Sequence, residues 1–231
     1  MNDRVQSFPG VVGPGALSAD RNRVLRNTYW LLALSLVPTV LGAWLGVSTG
    51  LMSSIGVGTS MIVFLAGAFG FMYAIEKTKN SSTGVAVLLG FTFFMGLFLS
   101  RLVGQVLGFR NGSSLVMTAF GGTAAVFLTM ASLATVIKRD LSSMGKFLTV
   151  GAVIVFFAFI VNFFVQSSAL TITLMVLCLA IFSAFMLYDI KRVVDGGETN
   201  YITATLAIYL DIYNVFQSLL ALLGIFGGER D

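Results

Sequence analysis

The stretch NTYWLLALSLVPTVLGAWLGVSTGLMSSIGVGTSMIVFLAGAFGFMYAI, Asn27 to Ile75, runs for 49 residues without one charged side chain. One helical crossing of a bilayer takes about 20 apolar residues. The run is therefore too long for one crossing and predicts two helices, over 28–47 and 56–75. The segment GVSTGLMSSIGVG (Gly46–Gly58) supplies the turn between them. Composition points the same way. Hydrophobic residues make up 57% of the chain and charged residues 10%, whereas a soluble domain carries about 25% charged residues to keep its surface wet. Such a chain cannot clothe a water-facing surface, so its outside faces lipid.

Working outward, a third helix is expected over 84–107 and a fourth over 114–137. Another 42 uncharged residues between Lys146 and Asp189 hold a fifth and a sixth, broken at VQSSAL (Val165–Leu170). A seventh, over 203–226, contains a single charge, Asp211. The expectation is an all-α, polytopic protein of seven transmembrane helices. With the N-terminus placed in the cytoplasm, eleven basic residues fall on the cytoplasmic side against Arg110 and Arg230 outside. That asymmetry predicts N-terminus in and C-terminus out. Residues 1–26 hold Pro9, Pro14 and three glycines but no apolar run of the kind a secretory signal needs; they read as a retained, flexible cytoplasmic tail before a single membrane domain over 27–228.

Two absences prune the chemistry. Without histidine there is no Ser-His nucleophile, HExxH zinc site, histidine-ligated haem or imidazole switch. The single cysteine, Cys178, cannot form an internal disulfide and reads as packing. The net charge of +4 comes from basic residues scattered between apolar runs, which topology explains without a nucleic-acid partner. For helix packing, Ala66–Gly70 and Gly121–Ala125 are small-xxx-small pairs that allow close approach in lipid. Pro38 is expected to kink the first helix.

Ionisable groups within hydrocarbon need a reason, because each costs about 2.5–3.5 kcal/mol on insertion scales. Arg101, near the outer end of the third helix, has a stem long enough to reach the headgroups. Glu76 and Lys77 close the second helix at the cytoplasmic border. Asp211 is too short to escape in that way. Asn214 and Ser218 follow it at i+3 and i+7, on the same helical face, so the stripe should face the interior of the bundle. Asp189 is expected to end the sixth helix at the cytoplasmic border, with Asp211 about 12 Å deeper on the seventh. Asn162 and Gln166 form a further i, i+4 polar pair, read as helix–helix hydrogen bonding.

Two carboxylates close together at low dielectric cannot both ionise cheaply, so the pair would hold a shared proton over some pH range. Its loss leaves repulsion, or a transient seat for a hard cation such as calcium. Three readings stay open on the residues alone: a pH-gated cation path, an intramembrane aspartyl protease, and a structural polar clasp.

The segment YDIKRVVDGGETNYITATLAIYLDIYNVFQSLLALLG (Tyr188–Gly224), with VLRNTYWLLALSL (Val24–Leu36) and GGTAAVF (Gly121–Phe127), resembles the Bax inhibitor-1 family. VLRNTY, GGTA and GGETNYI place it nearest the family's bacterial, YccA-like branch. The resemblance covers nearly the whole chain beyond the tail. It implies seven helices, with a central last helix wrapped by the other six, and a pH-sensitive calcium leak without a resident cofactor. The family's aspartate dyad, its pH sensor, falls on LYD and YLD, hence on Asp189 and Asp211. A basic latch near the end of the second helix is also implied; no arginine stands there, and Lys77 is the nearest candidate beside Glu76. Asn214 and Ser218 would line the path. The branch implies an inner-membrane location and an alternative role, as a modulator of the membrane-bound ATP-dependent protease FtsH. Intramembrane aspartyl proteases carry GxGD and PAL sequences, and neither occurs here, so the resemblance favours a protein that is not an enzyme.

Overall fold

A computed structural model describes residues 14–229. Among them the chain forms α1 (Pro14–Thr49), α2 (Leu51–Ser54), α3 (Val57–Thr78), α4 (Ser82–Leu107), α5 (Gly112–Val136), α6 (Ser142–Val165), α7 (Ser168–Val194) and α8 (Tyr201–Gly227). Seven of these are long and apolar enough to cross a membrane, and α2 is a single turn linking α1 to α3. Helices satisfy every backbone donor and acceptor within the segment, which hydrocarbon demands.

The expected tail over 1–26 divides. Residues 1–13 lie outside the described residues, while 14–26 already belong to α1. After Gly15 no glycine or proline interrupts the chain until Pro38, and Val24 and Leu25 pack against the core. The helix therefore gains apolar anchorage one turn before the uncharged run starts at Asn27. It also continues through Pro38 without a break. The hydroxyls of Ser35 and Thr39 donate to the carbonyls of Leu31 and Ser35 at 2.7 and 2.9 Å.

Close helix approach occurs elsewhere than expected. Ala66, Gly70, Gly121 and Ala125 all lie exposed, and a Cβ at Gly70 or Gly121 would meet nothing within 4 Å. The tight seam joins α1 to α4. A Cβ on Gly42 would strike the Phe93 carbonyl oxygen, one on Gly46 the Ser100 hydroxyl, and one on Gly96 the Thr39 carbonyl oxygen. Gly42-xxx-Gly46 faces Gly96-xxx-Ser100, the same small-residue spacing at different positions. A small pair permits contact, but the larger side chains around it select the partner.

Helix α8 is the core, with 44% of its apolar window buried against 17% for each of α3, α5, α6 and α7. It packs on α1, α3, α4, α5 and α7. The last helix is central as expected, and α6 rests mainly on α7. One face of α8 is pinned by phenols. Tyr209 donates to Thr39 Oγ1 at 2.8 Å, its hydroxyl oxygen lying 3.4 Å from the Thr92 carbonyl, while Tyr213 donates to the Met95 carbonyl at 3.3 Å.

The ends are tied as well. Asn111 donates to the Gly227 carbonyl at 2.7 Å and accepts from Glu229 N–H at 3.2 Å. In the α6–α7 turn Asn162 does bond across, donating to Thr171 Oγ1 at 2.7 Å. Gln166 does not share that role: it ends α6 in the left-handed region, with φ 53°. Cys178 packs with Val155 and Leu174 between α6 and α7. Arg101 is half-buried in α4 and has no ion-pair partner among the described residues.

Candidate functional site

Helix α7 does not stop at Asp189. It runs on to Val194, which places Asp189 about 7.5 Å inside the helix end rather than at the border. The cations that read as a border are neutralised locally. Lys191 is buried, and its Nζ lies 2.9 Å from Asp195 one turn later. Arg192 reaches Glu198 at 3.2 Å. Cations in a last turn also face the negative end of the helix dipole. The GGETN segment then has a physical role at each step. Gly196 takes φ 80°, which a side chain would resist, and Glu198 holds Arg192. Asn200 caps α8, accepting from Ile202 and Thr203 N–H at 2.9 and 3.2 Å. Its amide also donates to the Lys79 carbonyl and to Asn80 Oδ1, both at 2.9 Å, tying this loop to the α3–α4 turn.

Asp211 lies ten residues into α8, about 15 Å from its start, and is 3% exposed. Its carboxyl faces the half-buried Asp189 carboxyl within hydrogen-bonding reach. Among the described residues, Asp211 Oδ2 is the single buried side-chain oxygen or nitrogen without a hydrogen-bond partner. Two carboxylates offer acceptors only, so that oxygen is satisfied when a proton sits between the pair. The charges acting on Asp189 are Arg192 and Glu198, together with Asp211. Helix α5, which packs on both α7 and α8, contributes no ionisable residue. The pair is thus enclosed between α7 and α8, with the Arg192–Glu198 ion pair acting on its Asp189 member.

The rest of the predicted set separates. Ser218 is buried on the Asp211 face. Asn214 spends its amide on the Leu210 carbonyl of its own helix, at 2.7 Å. Glu76 and Lys77 are not brought to the pair. Glu76 pairs with Lys79, and the exposed Lys77 ammonium stands 5.6 Å over the Tyr73 ring. The cation whose charge acts on Asp189 is Arg192 rather than Lys77. The signal was present in the sequence, since Arg192 follows Asp189 at i+3, but it is informative only once α7 is known to continue. No group of three or more acidic or cysteine residues that could hold a metal occurs among the described residues. Two carboxylates supply at most about four oxygens, short of the six to eight that a resident calcium takes.

Seven spanning helices with a carboxyl pair enclosed between the last two define a multi-pass membrane protein with an intramembrane ionisable site. The family model described as inhibitor of apoptosis-promoting Bax1 matches residues 21–228, and the chain belongs to this Bax inhibitor family. An Escherichia coli K12 protein named modulator of FtsH protease YccA is 36% identical over 203 residues, covering 88% of this chain and 90% of the relative. An uncharacterised protein of Neisseria meningitidis serogroup A is 37% identical over 217 residues, 93% of this chain and 96% of its own. A Vibrio cholerae membrane protein is 37% identical over 210 residues, 89% and 91% of the two chains. Neither the family nor these relatives are known enzymes.

Proposed function

We propose that this protein is a pH-gated cation leak of the inner membrane, with calcium as the permeant ion and Asp189 and Asp211 as the gate. A shared proton holds α7 to α8. Its loss sets two carboxylates against each other, loosens the contact and opens a path for a cation entering from the end that carries Arg192 and Glu198. The excess of basic residues at that end makes it cytoplasmic. The observation that carries this reading is the unpartnered Oδ2 of Asp211 in a site 3% exposed. A buried intramembrane carboxyl whose second oxygen has no fixed donor favours a functional reading over a purely structural one.

Calcium entry into liposomes holding the purified protein, at pH 6, 7 and 8, is the test. Flux should rise with pH. Removing the cation that favours the ionised pair, in Arg192→Gln, should lower flux at pH 7 several-fold, while Lys77→Gln should leave it unchanged. Absence of flux at every pH from folded protein would overturn the reading.

A second role, modulation of a membrane-bound ATP-dependent protease, is supported by the printed name of the 36% identical relative. It requires co-purification of such a protease with this chain. Deleting residues 2–13, which leaves every described helix whole, should abolish the association if the N-terminus is the handle.

A further inference from the structure

Two clefts meet on the flank of α1. The first, of about 740 Å³, lies between the start of α1 and the α7–α8 loop. Asp20, Arg21 and Arg23 form one wall, and Asp195 and Glu198 the other. The second, of about 610 Å³, is an apolar groove along the lipid-facing side of α1, lined by Trp30, Leu31, Leu34 and Val85. Asn27 and Tyr201 line both, so a chamber lined by charged residues adjoins an apolar groove beside the start of the uncharged run of α1. Trp30 is 72% exposed there, at the depth where tryptophan marks the membrane interface.

The acids of the loop wall already have cations: Asp195 has Lys191 and Glu198 has Arg192. Asp20, Arg21 and Arg23 have no ion-pair partner among the described residues. The uncompensated charge in the chamber is therefore two guanidiniums against one carboxylate. That matches a ligand with one net negative charge on a phosphodiester, for which guanidinium donors are well suited. The apolar groove below accepts a hydrocarbon chain.

The geometry points to a site for one anionic glycerophospholipid, its phosphate held by Arg21 and Arg23 and an acyl chain laid along Trp30, Leu34 and Val85. The site is separate from Asp189 and Asp211, and its occupancy can be read without flux.

The chain has two tryptophans, and Trp44, 14 residues further along α1 and about 21 Å away, does not line the groove. In a Trp44→Phe background, quenching of Trp30 by lipids with brominated acyl chains therefore reports occupancy. Brominated phosphatidylglycerol diluted into phosphatidylcholine vesicles should bind about fivefold or more tightly, relative to brominated phosphatidylcholine. Arg21→Gln with Arg23→Gln should bring that preference to about one. Either single substitution, Arg21→Gln or Arg23→Gln, should already lower the preference, whereas Arg26→Gln, which removes one charge from the same helix end outside the chamber, should leave it intact. Equal binding of the two lipids, or an equal loss from Arg26→Gln, would overturn the site and leave general attraction of acidic lipid to a basic surface.

Discussion

Calcium flux through the Asp211→Asn protein is expected to stay low and flat between pH 6 and pH 8, where the unsubstituted protein opens. Asparagine keeps the size of the buried aspartate and supplies an N–H donor that is never lost. It can hold the Asp189 carboxylate across the α7–α8 contact at any pH, as the proton does in the native pair. What disappears is repulsion. Two unit charges about 4 Å apart, at an effective dielectric of about 20, repel by about 4 kcal/mol. That energy corresponds to roughly a thousandfold change in the ratio of open to closed states. Folding should survive, since the substitution removes the one unpartnered buried acceptor and no other side-chain bond. A pH profile matching that of the unsubstituted protein would make the pair a structural clasp and transfer the functional weight to protease modulation.

Gly96→Val is expected to disrupt the fold, whereas Gly70→Val is tolerated. The Cβ at Gly96 would run into the Thr39 carbonyl oxygen, with Thr39 Cα at 2.9 Å. These are backbone atoms of a packed helix and cannot rotate away. Overpacking in a core costs about 1–3 kcal/mol where side chains can yield, so the cost here should sit at or above that range. Pushing α1 outward also strains the Thr39–Tyr209 hydrogen bond, which ties α1 to the central helix. Thermal unfolding in detergent, followed by circular dichroism, should show a fall of many degrees or no cooperative transition. Gly70→Val, exposed with nothing within 4 Å of its Cβ, should melt within about 0.5 kcal/mol of the parent. Equal behaviour of the two variants would place the critical seam elsewhere than between α1 and α4.

The seven spanning segments and Asp211 were legible in the sequence, because hydrocarbon excludes charge so strongly that an exception stands out in a linear reading; Asp189 read as a border residue and joined Asp211 through the family resemblance. The 49 uncharged residues before Glu76 and the single Asp211 within the last apolar run needed no coordinates. Helix ends were less legible. A charge reads as a border, yet Lys191 and Arg192 are matched by Asp195 and Glu198 and let α7 run on. That extension turns Asp189 from an interfacial residue into one half of an enclosed pair.

Which residues meet across helices was decided by the tertiary structure alone. Glycines at 42, 46 and 96 and those at 70 and 121 have the same chemistry, but only the first group lies where the surrounding side chains bring two backbones together. Lys77 and Arg192 carry the same charge, but Lys77 sits on the outer face of α3 over Tyr73, and the charge of Arg192 acts on Asp189. The sequence by itself determined the solvent of this protein, the number of its crossings and the acid within the last of them, Asp211, since those follow from transfer energies summed along a chain. Partners of each helix face depend on packing among residues distant in sequence; that decided the α1–α4 seam, the central place of α8 and the meeting of its buried acid with Asp189.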